Sequence, residues 1–589
     1  MSDYTPPLRD IKFVLDHICG LDEIVTYPAF EHVDPELAFG ALDEAARFFS
    51  EVVAPTNRDG DTIGSVRNSD GTVTAPESFK KAYEQFVAAG WGAVKFPAEY
   101  GGHGFPGAVG LAILEMLTTA NMAFSLCPML TSSAILAIDA HGSDEQKALY
   151  LEKLISGEWA GTMVLTESEA GSDVGAVRTK AESRDDGTWA ITGTKIFITW
   201  GEHDMTDNIV HLVLARTPGA PPGTKGISLF IVPKYLPDAA GGLGEANTLN
   251  CVSIEHKLGI HGSPTCVMAF EDAVGWMVGE ENQGMRYMFT MMNDARIHVG
   301  LEGIGLAERS YQQALEFATT RTQGRAVGAP KTEASPIIEH PDVRRMLLTM
   351  RAYIEGTRAL LYDTAAALDR SHHGPDEDAR SKAADRAALL TPVAKAFGTD
   401  LGVELTSLGV QIHGGMGYVE ETGAAQHFRD ARIAPIYEGT NGIQAIDLVL
   451  RKLPLRGGAA VREYFAEVTA TDGDLRAAGL GGIADALNGA VAQLVEATEY
   501  LLACDDPNDA LAGATPYCRM FGLVAAGYYL GRQAAVAAGS AGSDVWMADK
   551  VATARFYATQ LLPQTGGLLP AVRAGADALF DVGLATTSS

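Results

Sequence analysis

From Pro35 to Gly157 apolar residues recur at helical spacing, as in Leu42, Ala45, Phe48, Phe49 and Val52 and again in Phe79, Tyr83, Phe86 and Val87. This pattern predicts a block of helices broken by Gly/Pro loops. Between Trp159 and Asn282 the texture changes to short β-branched and aromatic runs divided by turn residues, which predicts a compact β domain. Its clearest stretch is Thr179 to Thr199, where Asp185-Asp186-Gly187 separates two strand-like runs and Gly193 predicts a further bend. Helical periodicity returns in Met285, Met288, Phe289, Met292 and Ala295, and again in Val343, Met346, Leu347, Met350, Tyr353 and Ile354. The Met-rich stripe reads as core filling, since an unbranched thioether adapts to irregular gaps. Ala326 to Ser335 reads as a surface loop, and Lys452 to Gly458 as a linker into a last Ala-rich segment with Ile483, Leu487, Val491, Leu494 and Leu501 on one helix face. The expected organisation is an N-terminal extension over 1–34, a helical domain over 35–158, a β domain over 159–283, a helical bundle over 284–452 and a C-terminal helical extension over 453–589. The fold class is therefore mainly α with a central β domain.

At 589 residues the chain exceeds the size at which one core keeps growing, in line with several domains. Its 45 Lys and Arg against 74 Asp and Glu give a formal charge of −29, which disfavours nucleic acid and anionic membrane surfaces as partners. An anionic small molecule must then find local cations. Six scattered cysteines contain no C-x-x-C pair, which points away from a zinc site or disulfide framework and towards a reducing compartment. The first ten residues lack a basic-then-apolar leader, and no uninterrupted apolar run reaches the roughly 18 residues of a membrane span. A cytoplasmic location and no metal are expected.

Gly102-His-Gly-Phe-Pro-Gly107 matches G-x-G-x-x-G in form, but no βαβ succession follows, so it reads as a Gly-rich turn. His372-His373 sits in a polar stretch and reads as a solvated helix end. Four segments carry more chemistry. Thr162 to Asp173 is an apolar strand running into hydroxyls, carboxylates and Gly-Ser-Asp; such a loop can present N–H groups to a polar ring or phosphate, though alone it is a strand and an Asx-type turn. Alternation in Thr194 to Thr199 puts Phe197 and Thr199 on one strand face, which suits a stacked heterocycle. Gln411-Ile-His-Gly-Gly-Met-Gly-Tyr418 reads either as a helix C-cap or as a place where backbone approaches a ligand. In Arg429 to Asn441, Glu438 precedes Gly439 in a short apolar piece; buried there, its carboxyl would titrate near neutrality, as a carbon-acid base requires.

Taken together, Thr166-Glu167 with Gly171-Ser-Asp173, Phe197-Ile-Thr199, Arg321-Thr-Gln323, Gln411-Ile-His-Gly-Gly415, Arg429-Asp-Ala and Ile436-Tyr-Glu-Gly-Thr440 occur in an order and spacing that resembles the acyl-CoA dehydrogenase family. The likeness spans roughly residues 40 to 450, and the opening Tyr4 to Phe13 and the C-terminal extension are similar to a longer bacterial subgroup. The resemblance implies a helical domain, a β barrel and a four-helix bundle, with FAD between barrel and bundle. It implies that Met163, Leu165, Thr166, Phe197 and Thr199 border the flavin, that Thr440 reaches the FAD pyrophosphate, and that Arg321, Gln323, Gln411 and Gly415 hold the adenosine end of a neighbouring subunit's FAD. A homodimer or dimer of dimers follows from that division. For an acyl-CoA substrate it implies Ser172, Asn293, Arg296 and Gly439, and for proton abstraction Glu438. Electron-transfer flavoprotein is the implied electron acceptor. Met163 stands where the family often has Tyr, Phe197 where Trp is common, and Gly442 where a Gln often contacts FAD. An acyl-CoA oxidase would share nearly all these residues, and a DNA-binding flavoprotein of the same fold is opposed by the acidic charge.

Overall fold

The computed structural model describes residues 4–330, 333–581 and 583. Two nearly all-apolar helices, α1 (Gly107–Ala120) and α2 (Met122–His141), form the centre of the N-terminal helical region. Asn121 separates them: its side chain accepts from Phe124 N at 3.1 Å and caps α2. The Gly-rich segment 102–106 is an irregular loop leading into α1, with no strand before it.

The β region contains β1 (Trp159–Val164), β2 (Lys180–Ser183), β3 (Trp189–Thr199), β4 (Asn208–Ala215), β5 (Ser228–Pro233), β6 (Leu249–Ile254) and β7 (Thr265–Met277). They form one sheet in the order β1-β4-β5-β7-β3-β2, with β6 also paired to β7; β1–β4 is parallel and the other pairs are antiparallel. Ala181 N donates to Arg216 O and Arg216 N to Thr179 O, each at 2.8 Å, so β2 returns to the end of β4 and the sheet curls towards a barrel. Val164, Ile191, Val213, Phe230, Cys266 and Phe270 fill its interior. Asp185-Asp186-Gly187 is the turn between β2 and β3, and Gly193 does not end the strand. β3 continues through it, with a register shift against β7 beside it, and a Cβ there would stand 2.4 Å from Thr179 Oγ1, so the glycine allows close packing.

The bundle is built on α3 (Gly284–Thr320), α4 (Pro341–His373) and α5 (Glu377–His413), followed by α6 (Ala424–Ala431) and α7 (Asn441–Asp447). α3 and α5 cross with their backbones touching: a Cβ on Gly303 would lie 2.1 Å from Gly398 O, and one on Gly398 2.5 Å from Gly300 O. Glycines inside helices cost about 1 kcal/mol each, and this close crossing is what they make possible. α2 is, among the described residues, the one helix long and apolar enough to cross a membrane by length and composition; Ser and Thr residues break its apolar run. Its apolar window is 78% buried in this fold, against β1 and α3.

The terminal segments are fastened to the bundle. α8 (Ala514–Ala538) lies on α4 and α5, and Phe521 on it stacks against Tyr464 with ring centroids 5.5 Å apart. On α4, the fully buried Arg358 donates to Glu115 and Glu308, each at 2.8 Å, and to Asp10 of the N-terminal extension. Lys550 of the C-terminal extension reaches the same Asp10, along with Glu355 at 3.0 Å and Gln533 at 2.8 Å. Buried charges are tolerated only when paired in this way.

Candidate active site

A cleft of about 820 Å³ opens between the curled sheet and the bundle, within the range of small-molecule and cofactor sites. Its sheet-side wall comes from the ends of β1 and β3. Beyond β1, the buried Lys195 donates to Leu165 O at 2.8 Å and pairs with Glu167 at 2.9 Å. Glu167 accepts in addition from Arg178 N, Thr179 N and the Thr179 hydroxyl, at 2.8, 3.0 and 2.6 Å. Burial pushes the Glu167 carboxyl up, but Lys195 and these donors outweigh it and hold it below the usual range; burial brings Lys195 down to about 8. The Glu167 of the sequence motif thus anchors the loop that carries Ser172 to the cleft wall.

Phe197 has φ +58°, and β3 spends one extra residue between Lys195 and Ile198 against β7. The bulge breaks simple alternation and turns the Phe197 ring outward, 58% exposed on the cleft wall with Thr199. A left-handed, exposed aromatic costs free energy unless something covers it, and a flat heterocycle would.

The opposite wall is the turn from Ile433 to Asn441. It is closed by Ile436 N to Ile433 O at 2.8 Å and Asn441 N to Pro435 O at 3.0 Å. Asn441 is locked into the bundle: its Oδ1 accepts from Lys395 Nζ at 2.8 Å and its Nδ2 donates to Asp400 Oδ1 at 2.7 Å. Lys395 is wholly buried and also donates to Ala434 O at 2.9 Å. Within this frame Glu438 has φ +55° and Gly439 φ +84°. Gln444 Nε2 donates to both of their carbonyls, at 3.4 and 3.3 Å, and a Cβ on Gly439 would come 2.7 Å from that nitrogen. The Glu438 N–H has no acceptor among the described residues and remains available to a ligand.

Glu438 lines the cleft, partly accessible from it. Burial raises its carboxyl from the ordinary 4.5 to about 7, with Arg296 and Lys395 pulling the other way. Arg296 lies on α3, donates to Asn293 Oδ1 at 3.2 Å and keeps a buried Nε without a partner among the described residues. Gln444 Oε1 is a second such buried atom. Thr440 caps α7, its hydroxyl oxygen accepting from Ile443 N at 3.3 Å while its proton stays free to donate. Nearer the rim, Arg429 is held by Asp61 (2.8 and 2.6 Å) and Glu420, whereas Arg432 is exposed with no carboxylate partner among the described residues. Arg296 and Arg432 are therefore cations this acidic chain leaves for an anionic ligand.

The cleft gathers Met163, Leu165, Thr166, Ser172, Phe197, Thr199, Arg296, Glu438, Gly439 and Thr440 on its walls. Asn293 stands just outside, exposed, touching the site through Arg296. Arg321, Gln323, Gln411 and Gly415 lie on the exposed surface away from this cleft, the last two around the C-terminus of α5. The Met-rich stripe divides: Met288 and Met291 are core, but Met285, Phe289 and Met292 form an apolar cleft wall. Sequence reasoning did not single out Lys395, Gln444 or Glu302, the buried side chains behind the turn. No local pattern marks them, since each becomes relevant only through helix packing.

Family models match in four consecutive parts: "Acyl-CoA dehydrogenase, N-terminal domain" over 41–158, the "middle domain" over 162–273, the "C-terminal domain" over 282–453, and "Acetyl-CoA dehydrogenase C-terminal like" over 461–583. Among curated relatives, 3-methylmercaptopropionyl-CoA dehydrogenase of Ruegeria pomeroyi is 50% identical, the match covering 95% of this chain and 96% of that protein. The broad-specificity linear acyl-CoA dehydrogenase FadE5 of Mycobacterium tuberculosis is 37% identical over 96% of each. Among solved structures, a Bacillus anthracis acyl-CoA dehydrogenase complexed with FAD superposes with a TM-score of 0.74 at 21% identity, covering 93% of this chain and 90% of that one, a likeness of fold.

Proposed function

Because this chain belongs to the acyl-CoA dehydrogenase family and is an oxidoreductase with FAD as its cofactor, we propose that it converts an acyl-CoA thioester to the trans-2-enoyl-CoA, with Glu438 as the base. The observation that carries the reading is Glu438 itself, held on the cleft wall in a left-handed conformation, titrating near neutrality, with its own N–H unengaged.

The residues fit FAD: the exposed Phe197 and Thr199 with Met163, Leu165 and Thr166 offer a platform for a flat ring, and Thr440 keeps a donor for a phosphate oxygen. When bound, FAD would supply the acceptor for the hydride leaving the β-carbon, with electron-transfer flavoprotein as the proposed onward electron acceptor. Glu438 removes the α-proton. A proton beside a thioester is far too weakly acidic for a carboxylate in water, so the developing charge on the carbonyl must be stabilised, and the Glu438 N–H is positioned by Gln444 to do so. Arg296 and Ser172 contact the CoA portion, and Met285, Phe289 and Met292 keep water from the reacting carbons. Arg321, Gln323, Gln411 and Gly415 are exposed, which is compatible with serving the FAD of a second subunit.

The relative at 50% identity suggests 3-methylmercaptopropionyl-CoA as the first thioester to try, with linear acyl-CoAs beside it. The test is anaerobic mixing of purified yellow protein with each thioester. Wild-type protein bleaches, while Glu438→Gln retains flavin and does not; bleaching of that variant at the wild-type rate removes Glu438 from the mechanism.

A further inference from the structure

One buried acid behind the catalytic turn has no part in the reaction as written. Glu302 lies on α3, within the stretch where Gly300 and Gly303 bring that helix onto the backbone of α5, and it is 2% exposed. Its Oε2 accepts a hydrogen bond from the Tyr437 hydroxyl, and its Oε1 has no partner among the described residues. Tyr437 immediately precedes Glu438 and lines the cleft with it, while its hydroxyl is buried against Glu302 of α3.

A buried carboxyl with one idle oxygen is expensive, and an apolar residue would fill the same space without that cost. What it gives in exchange is a fixed point. Glu438 sits at φ +55°, a conformation that a bulky L residue holds only where its surroundings dictate it. Gln444 grips the Glu438 and Gly439 carbonyls from the C-terminal side, and Lys395 grips Ala434 before the glutamate and Asn441 after it. At the residue immediately before Glu438, a further tether runs from the Tyr437 hydroxyl to Glu302.

We propose that Glu302 is a positioning residue for the dehydrogenation reaction, acting through Tyr437 to hold Glu438 in its strained, proton-accepting pose. This deepens the reading of the site given above and rests on it. The groups facing Glu302 are Tyr437 and Glu438 from the turn and Lys395 from α5. Burial, with the Glu438 charge adding to it and Tyr437 and Lys395 pulling the other way, raises the Glu302 carboxyl to about 8. Two acids so close do not ionise together readily, so at neutral pH Glu302 stays protonated and leaves the negative charge to Glu438.

The test uses the full-length holoenzyme mixed anaerobically with the thioester that bleaches wild type fastest. Glu302→Ala lowers the bleaching rate constant by about tenfold or more, as a small misplacement of a base does, while the thioester concentration for half-maximal rate stays within about twofold. Glu302→Gln, whose amide oxygen still accepts from Tyr437, restores most of the rate but removes the inflection near pH 8 from the profile. Tyr437→Phe matches Glu302→Ala, and the double variant is no slower than either. Wild-type rate in Glu302→Ala, or losses that add in the double variant, overturns the inference. Should Glu302→Ala lose its flavin, Tyr437→Phe decides by itself, since it deletes a single oxygen. If wild type bleaches with no thioester, the proposed reaction fails first and this role falls with it; if wild type bleaches and Tyr437→Phe keeps pace, only the role of Glu302 is refuted.

Discussion

The titration of Glu438 makes the strongest demand on the proposed chemistry. Moving a carboxyl from 4.5 to about 7 means that holding it ionised costs about 3 kcal/mol more in the cleft than in water. The shift is upward for an acid, so the group is neutral and idle at low pH and becomes a base as pH rises through about 7. Its ionised fraction climbs from roughly 0.1 at pH 6 to about 0.9 at pH 8, so kcat/KM, which reports the free enzyme, should rise close to tenfold over that interval. An ordinary surface glutamate would already be almost fully ionised at pH 6 and would give a nearly flat profile. The same sign governs stability: the raised carboxyl weakens the fold as pH climbs from the unfolded-state value to about 7 and the loss levels off above it, so Glu438→Gln should unfold at a higher temperature than wild type at pH 8 and at about the same temperature at pH 4.5. The assay is steady-state turnover with an artificial electron acceptor, using a thioester above and below KM from pH 5.5 to 8.5. A flat profile, or one falling between pH 6 and 8, would refute the assignment of the base.

Two further outcomes bear on parts of the chain remote from Glu438. Lys550→Met takes one of two cations from each of two buried acids, leaving Asp10 with Arg358 and Glu355 with Arg351, and loss of one partner from such a set costs up to about 3–5 kcal/mol; thermal unfolding followed by near-ultraviolet circular dichroism should drop accordingly, and an unchanged midpoint would mean that the remaining pairs and apolar packing hold the extensions without Lys550. Arg321→Ala, at an exposed site away from the cleft, should loosen flavin and subunit association together, read by flavin retention on gel filtration and by sedimentation; unchanged retention would place the adenosine end elsewhere.

What the sequence determined follows from properties a chain carries locally. Period 3.6 and period 2 hydrophobicity placed the helical regions on either side of a β region, because amphipathicity is a property of neighbouring residues. The chemistry-bearing motifs were legible too: Met163 to Thr166, Phe197 with Thr199, and Glu438 to Thr440 meet on one cleft. Tertiary structure decided what those residues experience. Gly193, which local pattern reads as a bend, lies inside the continuous strand β3, where the lack of a Cβ admits Thr179 from another segment. Half of the Met-rich stripe became a cleft wall because α3 faces both the bundle core and the sheet. Lys395, Glu302 and Gln444 stand 43, 136 and 6 residues from Glu438 in sequence, yet all three pack behind its turn, where Lys395 and Gln444 hold the backbone and burial, Arg296 and Lys395 set the proton affinity of the carboxyl. Desolvation and charge act through space with no reference to chain order, so a carboxyl's identity is written in the sequence while its strength as a base is set only when helices distant along the chain close around it.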